Sequence, residues 1–148
     1  MPTTTNKPTN PKDGLGGDRA PFSLVSDVAT AEESLALAEG GLKYGVCNYR
    51  IMGISNRIYI DAMERHLAKY KNGEDRDAKT GVHHLASVRA STSIIFDAQM
   101  MGILNDDRGP AIVGFSDYID SLEARIKHLK ELFKDRNPRH WTIKDRPQ

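Results

Sequence analysis

With one cysteine, Cys47, in 148 residues, the chain has no partner for an internal disulfide and no multi-cysteine zinc site. Charge of one sign is missing too. The 21 basic and 20 acidic residues are interleaved and leave a net charge of +1, so no basic field spans the chain to hold nucleic acid non-specifically. No apolar run approaches the roughly 18 residues of a membrane span. The opening stretch, MPTTTNKPTNPKDGLGGDRAP, has no apolar core of the signal-peptide kind. A cytoplasmic protein without membrane contact is expected. There is no βαβ alternation, glycine-rich phosphate loop, GxSxG elbow, adjacent His-Asp pair or internal repeat. Dinucleotide folds, serine hydrolases and HD-type phosphohydrolases therefore lose support.

What is present reads as all-α: a small helical bundle of about four main helices with a disordered N-terminal arm. Residues 1–20 are too polar to repay the entropy of ordering and form the arm. Residues 21–110 form the helical domain, and residues 111–148 a C-terminal amphipathic helix and tail. From Ser26, a good N-cap, Val28, Ala31, Leu35, Ala38 and Leu42 recur at helical spacing, and Gly45 ends the helix. Glu32, Glu39 and Lys43 lie along one margin of that stripe. Ser55 is expected to cap a second helix through about Tyr70, with Tyr59, Met63, His66, Leu67 and Tyr70 on one face. A third helix, 83–101, has apolar and small residues all round and should be central. The seam Phe115, Ile119, Leu122, Ile126, Leu129, Phe133, running into and along helix 117–134, alternates spacings of four and three. It should pack on the body or across a subunit interface, core being favoured; helices 83–101 and 117–134 are the candidate contacts of a homo-oligomer.

Chemistry concentrates between Asp61 and His84, DAMERHLAKYKNGEDRDAKTGVHH. Hard carboxylates in Glu74, Asp75 and Asp77 stand between His66 and the pair His83 and His84, a combination suited to divalent metals and phosphate chemistry. The plainer alternatives are a core role for His66, and an Asp77 that accepts backbone N–H groups near Thr80. Upstream, Lys43-Tyr44-Gly45-Val46-Cys47-Asn48-Tyr49-Arg50 offers tyrosines on which a base could stack and cations for phosphate, or else a packed connector. Ser87 and Ser91, below His84 on one stripe, could line a polar cavity or bond back to their own helix.

The stretches GGLKYGVCNYR, DAMERHLAKYKNGEDRDAKTGVHHLA and LNDDRGP resemble the N-terminal domain family of dATP/dGTP diphosphohydrolases, found in phage and prophage proteins and associated with MazG-like domains. The likeness covers residues from about 13 to 110, and RHWTIKD is similar to the tail of some phage members. It implies a phage-encoded nucleotide protein that removes pyrophosphate from a purine deoxynucleoside triphosphate. On that reading Mg²⁺ or Mn²⁺ is held by some of Glu39, Glu74, Asp75 and Asp77. His66 or His84 serves as ligand or general base. Lys43, Arg50 and Arg65 meet phosphate, while Tyr44, Asn48 and Tyr49 meet the rest of the nucleotide. The alternative is a module that binds or sequesters nucleotides without cleaving them, favoured by the absence of a MazG-like domain. A third possibility is a structural or assembly module.

Overall fold

The computed structural model describes residues 10–145. The fold is all-α, as the periodicity predicts. Its helices are α1 (Pro11–Gly16), α2 (Asp27–Tyr44), α3 (Tyr49–Met52), α4 (Asn56–Lys71), α5 (His84–Met100) and α6 (Phe115–Leu132). The first nine residues of the expected arm lie outside the described residues. The remainder is not wholly irregular, because Asn10 accepts the Lys12 N–H at 3.0 Å and starts α1.

The body is a three-helix bundle with α5 at its centre, packed on both α2 and α4. Small side chains make that closeness possible. Ala86, Ala90 and Ala98 are the buried apolar residues of α5, and with Val82 they form the core. The Ser26 hydroxyl caps α2 by accepting the Ala29 N–H at 3.2 Å, and Gly45, at φ 97°, ends it.

The apolar stripe expected to bury α2 faces outward instead. Val28, Leu35 and Leu42 are exposed, while Glu33 is the buried residue of the helix. The reason is a polar clamp to α5. Arg89 Nε donates to Glu33 Oε2 at 2.5 Å, the Ser93 hydroxyl donates to Oε1, and Arg89 also reaches the Thr30 hydroxyl at 3.1 Å. A buried carboxylate is tolerated when it is paired and hydrogen-bonded in this way.

The start of α4 is held from a distance. Ile54–Ser55 (β1) pairs in parallel with Leu104–Asn105 (β2), a short ladder that the periodicity did not announce. Just before it, Gly53 sits at φ 70° with its backbone so close to Ile103 that a Cβ would fall 2.6 Å from the Ile103 carbonyl oxygen. Only glycine fits there. The Ser55 side chain makes no capping bond to α4; Asp107 Oδ1 accepts the Arg57 N–H at 2.8 Å in its place. Buried Asn56 donates to Asp106 Oδ1 at 3.3 Å, and Arg108 grips both oxygens of the same carboxylate. These bonds hold Asp106 well below the usual carboxylate range, with the Arg108 bond the largest cause.

The core role favoured for the C-terminal seam is overturned. No residue of α6 is buried, and Phe115, Ile119, Ile126, Leu129 and Phe133 are exposed. The helix makes no substantial contact with α2, α4 or α5. Beyond it, Arg139 stacks 4.0 Å over the Trp141 ring and donates to Asp145 at 2.5 Å, giving the tail a local shape of its own.

Candidate functional site

A cavity of about 600 Å³ opens between the C-terminal half of α2, α4 and α5. The small-residue run Gly40-Gly41 makes room on the α2 side; Tyr59 and Ala62 of α4, and Ala90 and Ile94 of α5, supply much of the apolar wall. A smaller cavity of about 280 Å³ shares Glu39, Lys43, His66 and Ser87 with it and adds Asp77, Lys79 and Thr80. The larger space is predominantly apolar, and the smaller is rimmed by hydroxyls and charges. That division suits an amphiphilic ligand with a flat ring at one end and anionic groups at the other.

His66 stands where the two spaces meet. It lies at the position on α4 from which its Nδ1 reaches His84 Nδ1 at 2.9 Å, with ring centroids 5.1 Å apart. His84 is fully buried at the start of α5, and its backbone N–H donates to the Asp75 carbonyl at 2.9 Å. Its Nε2 lies 3.2 Å from Glu74 Oε1, within ion-pairing distance but off the line of a good hydrogen bond. Two Nδ1 atoms at this separation need one proton between them, so one ring donates and the other accepts. Burial, and next the neighbouring His84, hold His66 below the ordinary histidine value. It is thus suited to accept a proton near neutral pH.

The acidic loop serves chiefly to build this corner. Asp77 Oδ1 accepts the Lys79 and Thr80 N–H groups, each at 3.0 Å, and these bonds, Thr80 first, lower its pKa. Its other oxygen faces Lys69 at 3.6 Å. This is the backbone-capping alternative for Asp77. Arg76 donates to Glu32 of α2 at 2.6 Å and to the Gly81 carbonyl at 3.1 Å, fastening the loop across the bundle. His83 Nδ1 accepts the Leu85 N–H at 3.1 Å and caps α5.

The four carboxylates proposed as metal ligands do not converge. Glu39 pairs with Lys43, Glu74 lies against His84, Asp75 is exposed, and Asp77 is occupied as described. Among the described residues, no three His, Cys, Asp or Glu side chains form a group that could hold a metal. Within a single chain these four carboxylates therefore do not form one shared donor set.

Of the proposed nucleotide contacts, Lys43, Tyr44, Asn48, Tyr49 and Arg65 all line the larger cavity. Arg50 does not. It donates to Asp97 at 2.7 Å through its terminal nitrogen and at 3.0 Å through Nε, and the Tyr49 hydroxyl donates to the same oxygen at 3.2 Å. That pair ties α3 to α5. The sequence pattern alone does not single out Lys79 and Thr80 as cavity-lining residues, although their place in the acidic loop beside Asp77 is a usable signal. No local signal pointed to Glu33 and Arg89, which lie far apart in the sequence.

Residues 9–108 match the family described as dATP/dGTP diphosphohydrolase, N-terminal. A protein named dATP/dGTP diphosphohydrolase from Salmonella phage PMBT28 is 33% identical over 90 residues, covering 61% of this chain and 30% of that protein. The chain thus spans less than a third of that relative's length. No solved structure matches. Among the described residues, no helix is long and apolar enough to cross a membrane.

Proposed function

The chain belongs to the dATP/dGTP diphosphohydrolase N-terminal family, and from that premise we propose that it hydrolyses a purine deoxynucleoside triphosphate to the monophosphate and pyrophosphate. The observation that carries the reading is the His66–His84 pair at the junction of an apolar and a charged cavity. In this reading the nearby Glu74 carboxylate, 3.2 Å from His84 Nε2, draws the proton of that ring to Nε2 by charge attraction. His84 Nδ1 is then an acceptor, His66 Nδ1–H the donor, and His66 Nε2 a lone pair available to the cavity.

In this scheme His66 Nε2 takes a proton from water as the water oxygen bonds to the α-phosphorus. The bond from that phosphorus to the α,β-bridging oxygen breaks, and pyrophosphate leaves. Lys43, Lys79 and Arg65 stabilise the phosphate charge, and Tyr44, Tyr59 and Leu37 supply apolar surface for the base. His84 and Glu74 are positioning residues. Mg²⁺ or Mn²⁺ enters with the triphosphate as part of the substrate. The relative's name, a hydrolase, does not favour the sequestering alternative.

The test is incubation of the purified protein with each common NTP and dNTP in Mg²⁺ or Mn²⁺, followed by chromatography. Monophosphate and pyrophosphate from purine deoxynucleotides, lost in His66→Gln, are the expected result. Intact nucleotide retained without product would replace this reading with a binding module.

A further inference from the structure

We propose that α6 is a dimerisation element in which two copies of this chain pair antiparallel along the seam Phe115, Ile119, Leu122, Ile126, Leu129, Phe133. This rests on α6 and is independent of the catalytic reading. α6 contributes an apolar seam about two and a half heptads long that no other helix among the described residues covers. An isolated helix of this length is marginal in water and needs a packed face to persist.

The occupant is indicated by the seam itself, which is self-complementary under a two-fold rotation. Antiparallel alignment centred on Ala124 sets Phe115 against the second copy's Phe133, Ile119 against its Leu129, and Leu122 against its Ile126. An isologous contact requires this reciprocity. On one flank Tyr118 meets the second copy's Leu132, and both side chains are exposed in the single chain. A parallel pair would instead set Tyr118 beside Glu123 and Arg125 beside Lys130, twice over. The antiparallel pair does bring Arg125 and Glu123 near their own copies at the two-fold axis. Glu123 is already neutralised by Lys127 at 2.7 Å, and exposed like charges are screened. Opposed helix dipoles add in the same direction.

Sedimentation equilibrium of the full chain tests the proposal. The expected result is a concentration-dependent approach to twice 16.5 kDa. Ile126→Asp should weaken association by more than about 100-fold while the melting of the body, followed by circular dichroism, is unchanged. A monomeric wild type up to the highest soluble concentration overturns the proposal, and if Ile126→Asp also lowers the melting temperature, the seam docks on its own chain. A dimer indifferent to Ile126→Asp overturns it as well. Orientation is read in a Cys47→Ser background. Mixed Ile119→Cys and Leu129→Cys chains should crosslink under oxidation and Ile119→Cys alone should not; the reverse pattern overturns the antiparallel arrangement.

Discussion

His66 Nδ1 and His84 Nδ1 lie 2.9 Å apart, and only His66 also borders the cavities. The division of labour follows from burial. A ring sealed at the head of α5 can orient its neighbour but cannot touch a substrate.

Replacing His66 by Gln should therefore lower kcat by about 10²- to 10⁴-fold with the fold intact. Glu74→Gln should lower kcat on the order of tenfold, leave KM nearly unchanged and move the acid limb of the pH profile. Steady-state kinetics across pH separates the two roles, and an unaltered profile in Glu74→Gln would remove that carboxylate from the positioning of His84.

The depressed pKa of His66 has a stability consequence of definite sign. Its folded value lies below the unfolded value of about 6.5, so between the two the unfolded chain binds more protons. The associated stability is fully present above that unfolded value and is lost as pH falls through the window toward the folded one. Urea denaturation from pH 7.5 downward should show a steeper decline for wild type than for His66→Gln; parallel curves would refute the assignment.

Breaking the clamp between α2 and α5 should be costly. Arg89 is partly exposed, so Glu33→Ala is expected to cost about 2–3 kcal/mol, below the 3–5 kcal/mol of a fully buried pair. Glu33→Met with Arg89→Met should recover much of that loss, because no charge is then left unpaired. Chemical denaturation of the single and double variants decides it.

At the start of α4 the two capping candidates make opposite forecasts. Asp107→Ala should cost about 1 kcal/mol, the usual worth of an N-terminal cap, and Ser55→Ala clearly less. Equal losses would return the capping role to Ser55.

Gly53→Ala meets both a positive φ and the Ile103 carbonyl oxygen. A loss of more than about 2 kcal/mol is expected, from the strained backbone and the disrupted β1–β2 pairing together. A thermal melt near that of wild type would show that the close approach relaxes without cost.

The helices were legible wherever spacing and caps agreed: Ser26 and Gly45 bound α2, and the central place of α5 follows from its small residues on every side. Burial was less legible. The stripe Val28, Leu35, Leu42 has the period of a core face but lies opposite Glu33, whose partners come from the far half of the sequence. Periodicity registers which residues share a face and not which face another helix covers. In the stretch Asp61–His84, His66 and His84 come together, while Asp77 shapes the loop and Glu74 lies against His84. Arg50 reads as a free cation in the sequence because Asp97 is remote along the chain.

The clamp on α2 also divides that helix into a pinned half and a cavity-lining half. Thr30, Glu32 and Glu33 pin the first half of that helix to α5 and the acidic loop, while Glu39, Gly40, Gly41, Lys43 and Tyr44 of the second half form the cavity wall. α4 and α5 are splinted to each other by β1 with β2 and by Asp107. α2 is consequently a lever with a fixed fulcrum, and the Gly40-Gly41 pair is its compliant arm. The two halves of that helix should therefore differ in local stability, and amide exchange should be faster across 38–44 than across 30–36.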